Sequence, residues 1–128
     1  MPESLPSRTA LVVDDEIAIL ELARSALESL GFEVLAASNA HAALDMVREW
    51  EGPLELMLID VVMPDVNGPE LAERIRELHP EARLIFTSGY GLGASVALRQ
   101  RQSGALYLTK PFGVEQLGRH VERALAGT

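Results

Sequence analysis

Leu56-Met57-Leu58-Ile59-Asp60-Val61-Val62-Met63-Pro64-Asp65-Val66-Asn67-Gly68 is an apolar run that stops on one carboxylate and breaks into a turn-rich loop. A run of four large apolar residues without alternation reads as a strand covered on both faces, the kind found in parallel sheets. Three more runs end the same way. Ala10-Leu11-Val12-Val13 leads into Asp14-Asp15, Leu84-Ile85-Phe86 into Thr87, and Ala105-Leu106-Tyr107-Leu108 into Thr109-Lys110-Pro111. In a parallel sheet the C-terminal ends of all strands share one edge, and open α/β folds place their ligands there. Three carboxylates, a hydroxyl and an ammonium gathered on that edge would make a site for Mg²⁺ and a phosphoryl group.

Amphipathic stretches alternate with the apolar runs, five of each, which predicts β/α units around a parallel sheet. The first helix places Leu20, Ala23, Leu27 and Leu30 on one face, with Gly31 as its C-cap. Phe32–Ala37 reads as the second strand, and Asn39 as the N-cap of a helix running to Trp50. The third strand spans Leu54–Ile59. The helix after it starts at Pro69, faces inward through Leu71, Ile75 and Leu78, and ends at Pro80. Strand four is Arg83–Thr87. A weak helix over 94–102 follows, then strand five at Ala105–Leu108 and a last helix facing inward through Val114, Leu117, Val121 and Leu125. The 128 residues are read as one domain with its core at about residues 8–126.

Composition closes off several function classes. Cysteine is absent, so disulfides and thiolate chemistry are excluded. His41, His79 and His120 have no metal-ligand spacing, and His120 reads as a surface residue. The net charge of −8 argues against a nucleic acid as direct ligand, because phosphate neutralisation needs Lys and Arg. No apolar run approaches the ~18 residues of a membrane span, and the first eight residues do not form a signal peptide, so neither a membrane partner nor export is expected and the cytoplasm is the default. Gly89-Tyr90-Gly91-Leu92-Gly93-Ala94 fits the dinucleotide fingerprint, but no acid stands about 20 positions on to hold a ribose. These glycines read instead as a loop free to rearrange after Thr87.

Taken together, Val12-Val13-Asp14-Asp15-Glu16, the segment from Leu58 to Gly68, Phe86-Thr87-Ser88-Gly89 and Lys110-Pro111-Phe112 resemble the receiver domain of two-component response regulators. The resemblance covers about residues 8–126 and implies a flavodoxin-like, doubly wound sheet of order 2-1-3-4-5. By this resemblance Asp60 is the phospho-acceptor, Asp15 a direct Mg²⁺ ligand, and Asp14 the acid that holds a metal-bound water. The Val62 carbonyl is a backbone ligand of the metal, and Thr87 and Lys110 bind phosphoryl oxygens. Tyr107 is the aromatic that turns inward on activation, and the Lys110–Pro111 bond is cis. The implied partners are a sensor histidine kinase or a histidine phosphotransfer protein, with an unknown downstream protein; the implied activity is confined to the chain's own phosphorylation and dephosphorylation.

Each residue alone has an ordinary reading: Asp14 as a helix cap, Lys110 as a solvated cation, Thr87 as a strand-end hydroxyl, Tyr107 as packing. Two positions depart from the family's usual chemistry. Val62, two past Asp60, and Gly89, two past Thr87, carry no group that could orient a water. Alternatives stay open at this point: a Mg²⁺-dependent aspartyl-phosphate phosphatase, a binding module with a silent site, or a receiver that is one part of a hybrid histidine kinase. The phosphatase chemistry would want Asp-x-Asp, and Asp60-Val61-Val62 does not supply it.

Overall fold

The computed structural model describes residues 8–89 and 105–126; the expected helix over 94–102 and the glycines at 91 and 93 lie outside them. The described elements run β1 (Arg8–Val13), α1 (Ile17–Ser29), β2 (Phe32–Ala37), α2 (Ala40–Glu49), β3 (Leu56–Asp60), α3 (Gly68–Leu78), β4 (Arg83–Ser88), β5 (Leu106–Thr109) and α4 (Val114–Ala126). All strand pairs are parallel and the sheet order is β2-β1-β3-β4-β5. This is the order the resemblance implies.

Strand alternation divides the core into two layers. Leu11, Val13, Met57, Ile59, Leu84 and Phe86 point to the face covered by Ala43, Leu44 and Val47 of α2 and Leu71 and Ile75 of α3. Ala10, Val12, Leu56, Leu58, Ile85 and Leu108 point to the other face, under Leu20, Ala23 and Leu27 of α1 and Leu117 and Val121 of α4. Coverage on both sides is why Ala10–Val13 of β1 and Leu56–Ile59 of β3 are apolar runs instead of alternating. Helix ends follow local chemistry. Gly31, one residue past the Leu30 cap of α1, takes φ +97°, a conformation that costs a side chain but not glycine. Asn39 accepts from the Ala42 N–H (2.8 Å), as expected, and Asn67 caps α3 in the same way at Glu70 (2.9 Å).

The helix faces needed correction at their ends. Leu30, Leu78 and Val114, all expected inward, are about half exposed. They sit at the helix ends. Ala26, Ala72 and Ala124 complete the buried stripes instead. Strand β3 starts two residues later than expected and extends to Asp60, while β5 is shifted one residue forward. Asp60 is therefore part of the ladder and pairs with Thr87 of β4.

Candidate functional site

The four expected groups meet because of parity and register together. Val13 pairs with Ile59, so Asp14 follows β1 at the level where Asp60 closes β3, and Asp60 pairs with Thr87. Asp60 and Thr87 continue the side-chain row of Leu58 and Ile85, and Lys110 stands two residues past Leu108 on that row. The Lys110 N–H donates to the Ser88 carbonyl at 2.8 Å, which carries β5 beyond its last ladder residue to the site. The Lys110–Pro111 peptide is cis.

One carboxylate oxygen from each of Asp14, Asp15 and Asp60 lies within 4.8 Å of the others. Asp14 and Asp60 are buried and Asp15 is exposed, so the cluster opens to solvent on one side. Burial pushes the Asp14 carboxyl up from its ordinary value, and the neighbouring Asp60 charge adds to this. The Glu16 N–H and the Lys110 ammonium work in the opposite direction. Lys110 Nζ stands 3.0 Å from Asp14 Oδ2, 3.0 Å from Asp60 Oδ2 and 2.8 Å from Glu16 Oε1. Burial works against the ammonium, but its bonds to Glu16, Asp14 and Asp60 outweigh that and hold it above the usual lysine range.

Three carboxylates thus surround one ammonium and Asp15 stands beside two of them, leaving an excess of negative charge that a divalent cation would offset. The donors are hard oxygens, one side is open for water or a phosphoryl oxygen, and the set suits Mg²⁺. Asp14, Asp15 and Asp60 are the groups that would hold it.

The loop after Asp60 is fixed to that residue's carboxylate. The Val62 N–H donates to Asp60 Oδ1 (3.2 Å) and the Gly68 N–H to the Val61 carbonyl (2.8 Å). A Cβ on Gly68 would press on the Asp60 carbonyl and stand 2.8 Å from Val61 Cα, so only glycine fits there. Thr87 is buried, and its carbonyl accepts from the Val61 N–H at 2.9 Å.

The Tyr107 ring is half-buried on the α2/α3 face and packs on Phe86, centroids 5.5 Å apart and planes tilted by 39°. It points away from Lys110, as alternation requires. Its hydroxyl is buried with no hydrogen-bond partner among the described residues, and burial raises its pKa from the ordinary value. His120 of α4 is half-buried, not simply a surface residue. Its Nε2 lies 2.7 Å from the Tyr107 carbonyl and its Nδ1 2.9 Å from the Gln116 carbonyl.

Two residues at or beside the site had no role from the sequence. Glu16 reaches Lys110 across 94 positions; the run of three acids was its visible signal, but nothing local pairs it with that lysine. Asp65, in the loop after Asp60, accepts from the N–H groups of Ala40 (3.2 Å), His41 (3.1 Å) and Val66 (3.0 Å) and lies 2.8 Å from His41 Nδ1. No local pattern announces those partners.

The site's geometry agrees with what this chain resembles. A family model described as the response regulator receiver domain matches residues 10–122. The chain is 35% identical over 119 residues to the sensor kinase CckA of Brucella abortus, covering 93% of this chain and 13% of that protein. It is 38% identical to the DNA-binding transcriptional regulator NtrC of Azospirillum brasilense, covering 94% of this chain and 25% of that one. The response regulator receiver protein CpdR of B. abortus is 32% identical, with 90% and 94% covered. The chain therefore spans a small part of the first two relatives and nearly all of the third. A solved receiver domain from Clostridium thermocellum superposes with a TM-score of 0.82 at 29% identity, over 93% of this chain and 94% of that one. A CheY-like receiver from Methanospirillum hungatei gives 0.80 at 32%, over 94% and 95%. This chain belongs to the response regulator receiver domain family of two-component systems.

Proposed function

We propose that the chain accepts a phosphoryl group on Asp60 from a phosphohistidine, on a sensor histidine kinase or a histidine phosphotransfer protein, and passes on a change of shape. The observation that carries this reading is the position of Lys110 Nζ, 3.0 Å from both buried carboxylates beside a strand-paired Thr87. Phosphoryl transfer depends on positioning and charge neutralisation, and this arrangement supplies both. In the transfer, an Asp60 oxygen forms the bond to phosphorus as the phosphorus–nitrogen bond breaks. The electron pair stays with the imidazole, which leaves neutral because its other nitrogen carries the proton. Lys110 turns from the carboxylates to a phosphoryl oxygen, and the Val62 N–H keeps the acceptor carboxylate oriented. Mg²⁺ bound by Asp14, Asp15, Asp60 and the Val62 carbonyl would neutralise charge on the transferring oxygens.

The added charge, roughly −1.5 to −2 by analogy with hydroxyl phosphates, would draw the Thr87 hydroxyl toward the site. Room vacated beside β4 would let Tyr107 and the partner-facing surface around β5 rearrange. The output is then a downstream protein, with no nucleic acid or membrane contact of its own, in the cytoplasm. Catalysis is limited to the chain's own phosphorylation and dephosphorylation. The similarity to CckA and CpdR accommodates both a receiver within a longer kinase and a receiver standing alone.

Incubation with Mg²⁺ and a small phosphodonor such as phosphoramidate, followed by mass measurement, tests the reading. One added phosphoryl group, absent from Asp60→Asn, supports it. Continuous release of phosphate without a phosphorylated species would favour a phosphatase, and no reaction at all a silent binding module.

A further inference from the structure

Asp65 lies outside the cluster that holds metal and phosphate, yet it makes more polar contacts than any residue of its loop. Its carboxylate takes the N–H groups of Ala40 and His41, the first two residues of α2, and stands 2.8 Å from the His41 ring. Helix starts leave such donors without intrahelical partners. Asn39 satisfies the third one, at Ala42, from the usual local position. The first two are satisfied from a residue 25 and 24 positions away. The same Asp65 also accepts from its own loop at Val66. The loop's other fixings hold its two ends: Val61 N–H to the Thr87 carbonyl of β4 and Val62 N–H to Asp60 at its start, Gly68 N–H to Val61 and Glu70 N–H to Asn67 where it enters α3. Asp65 alone among these contacts ties the middle of the loop to α2, an element the loop neither leaves nor enters.

We propose that Asp65, seated on the start of α2 and clasped by His41, is a positioning residue that holds the 61–67 loop so that the Val62 carbonyl faces the carboxylate cluster. The proposal rests on the reading of Val62 as a metal ligand. Oxygen donors to Mg²⁺ must sit close to octahedral geometry, and a backbone carbonyl can be aimed only by fixing its loop. The anchors at residues 61, 62, 67 and 68 leave residues 63–66 without a hydrogen bond of their own to another element. The hold at Asp65 supplies one. It also makes α2 part of the metal site's support, so a change at His41 is felt at the metal although His41 touches none of its ligands.

The alternative is that Asp65 is a helix cap and nothing more. Calorimetric titration of the whole protein with MgCl₂, together with amide hydrogen exchange on the metal-free protein, separates the two. Asp65→Ala is expected to weaken Mg²⁺ binding roughly tenfold, the low end for groups that orient metal ligands, and to speed exchange at Val62 and Val66 while β1 and β3 stay protected. His41→Ala, which keeps the backbone bonds, is expected to weaken binding a few-fold. Asp65→Asn, which keeps one acceptor oxygen, should fall between wild type and Asp65→Ala. A folded Asp65→Ala variant with unchanged Mg²⁺ affinity, even if exchange speeds up in α2, overturns the proposal. Should Asp65→Ala fail to fold, unchanged affinity in both His41→Ala and Asp65→Asn overturns it equally. Wild-type protein that binds no Mg²⁺ would sink the functional reading and this inference with it, whereas wild-type binding with indifferent variants sinks the inference alone.

Discussion

Asp60 and Thr87 are partners in the β3–β4 ladder, so the carboxylate and the hydroxyl beside it in the sheet are held one strand spacing apart, about 4.8 Å. Neither can approach the other by strand movement without breaking the ladder. Motion toward a phosphoryl group has to come from the Thr87 side chain. Thr87→Ala is therefore expected to leave phosphorylation of Asp60 largely intact and to uncouple it from β5. Hydrogen exchange over 105–110 with and without beryllofluoride checks this: protection should change in the wild type and stay unchanged in the variant.

Tyr107 gives a companion test. Its hydroxyl is buried without a partner among the described residues, and a buried unpaired polar group costs about 1–3 kcal/mol. Tyr107→Phe should accordingly be neutral or stabilising by up to about 1 kcal/mol in the resting state. A urea midpoint well below wild type would mean that the hydroxyl is already bonded there.

Charge crowding makes opposite demands on the acids. Asp15 is exposed and makes no bond to Lys110, so Asp15→Asn relieves repulsion at no loss and should raise metal-free stability by about 0.5 kcal/mol. Asp60→Asn relieves the same repulsion but gives up the 3.0 Å contact with Lys110, and should come out near wild type. Urea midpoints without Mg²⁺ measure both. Millimolar Mg²⁺ should reverse the order, because it stabilises only the protein that binds it.

Lys110→Met strips the ammonium from two buried carboxylates, at a cost of about 3 kcal/mol near neutral pH. The pH dependence has a definite sign. Burial already raises the Asp14 carboxyl above its ordinary value of 3.8, and losing the lysine raises it further. A carboxyl with a raised folded-state pKa binds its proton more readily in the native protein. Its stability contribution is full below 3.8 and is lost as pH rises through the folded value. The deficit of Lys110→Met should therefore shrink as pH falls from 7 to 5 in denaturation curves.

Gly68→Ala tests the contact between the loop and Asp60. The new Cβ would meet the backbone of Asp60 and Val61, which cannot yield without moving β3. A loss of about 1–3 kcal/mol is expected, with phosphorylation slowed more than in an equally destabilised core variant such as Ile75→Val. Matched stability and matched rates in the two variants would show that the contact is only steric.

The sequence by itself determined the layered α/β architecture, because apolar runs without alternation have one good solution, a parallel sheet covered on both sides. It also marked Asp14, Asp15, Asp60, Thr87 and Lys110, since each follows a strand and strand ends share an edge. Caps at Asn39 and Gly31 were legible for the same reason: their chemistry is local. Strand order was not, and came from the family resemblance before the ladders showed it. Tertiary structure alone decided which apolar residues at the helix ends are exposed, Leu30, Leu78 and Val114. It set Tyr107 against Phe86 on the α2/α3 face. It also joined Glu16 to Lys110 and Asp65 to the start of α2. Those contacts link residues 24 to 94 positions apart. Propensity and periodicity act over a turn or a strand, so pairings at that distance are fixed only when the sheet closes and brings its loops together.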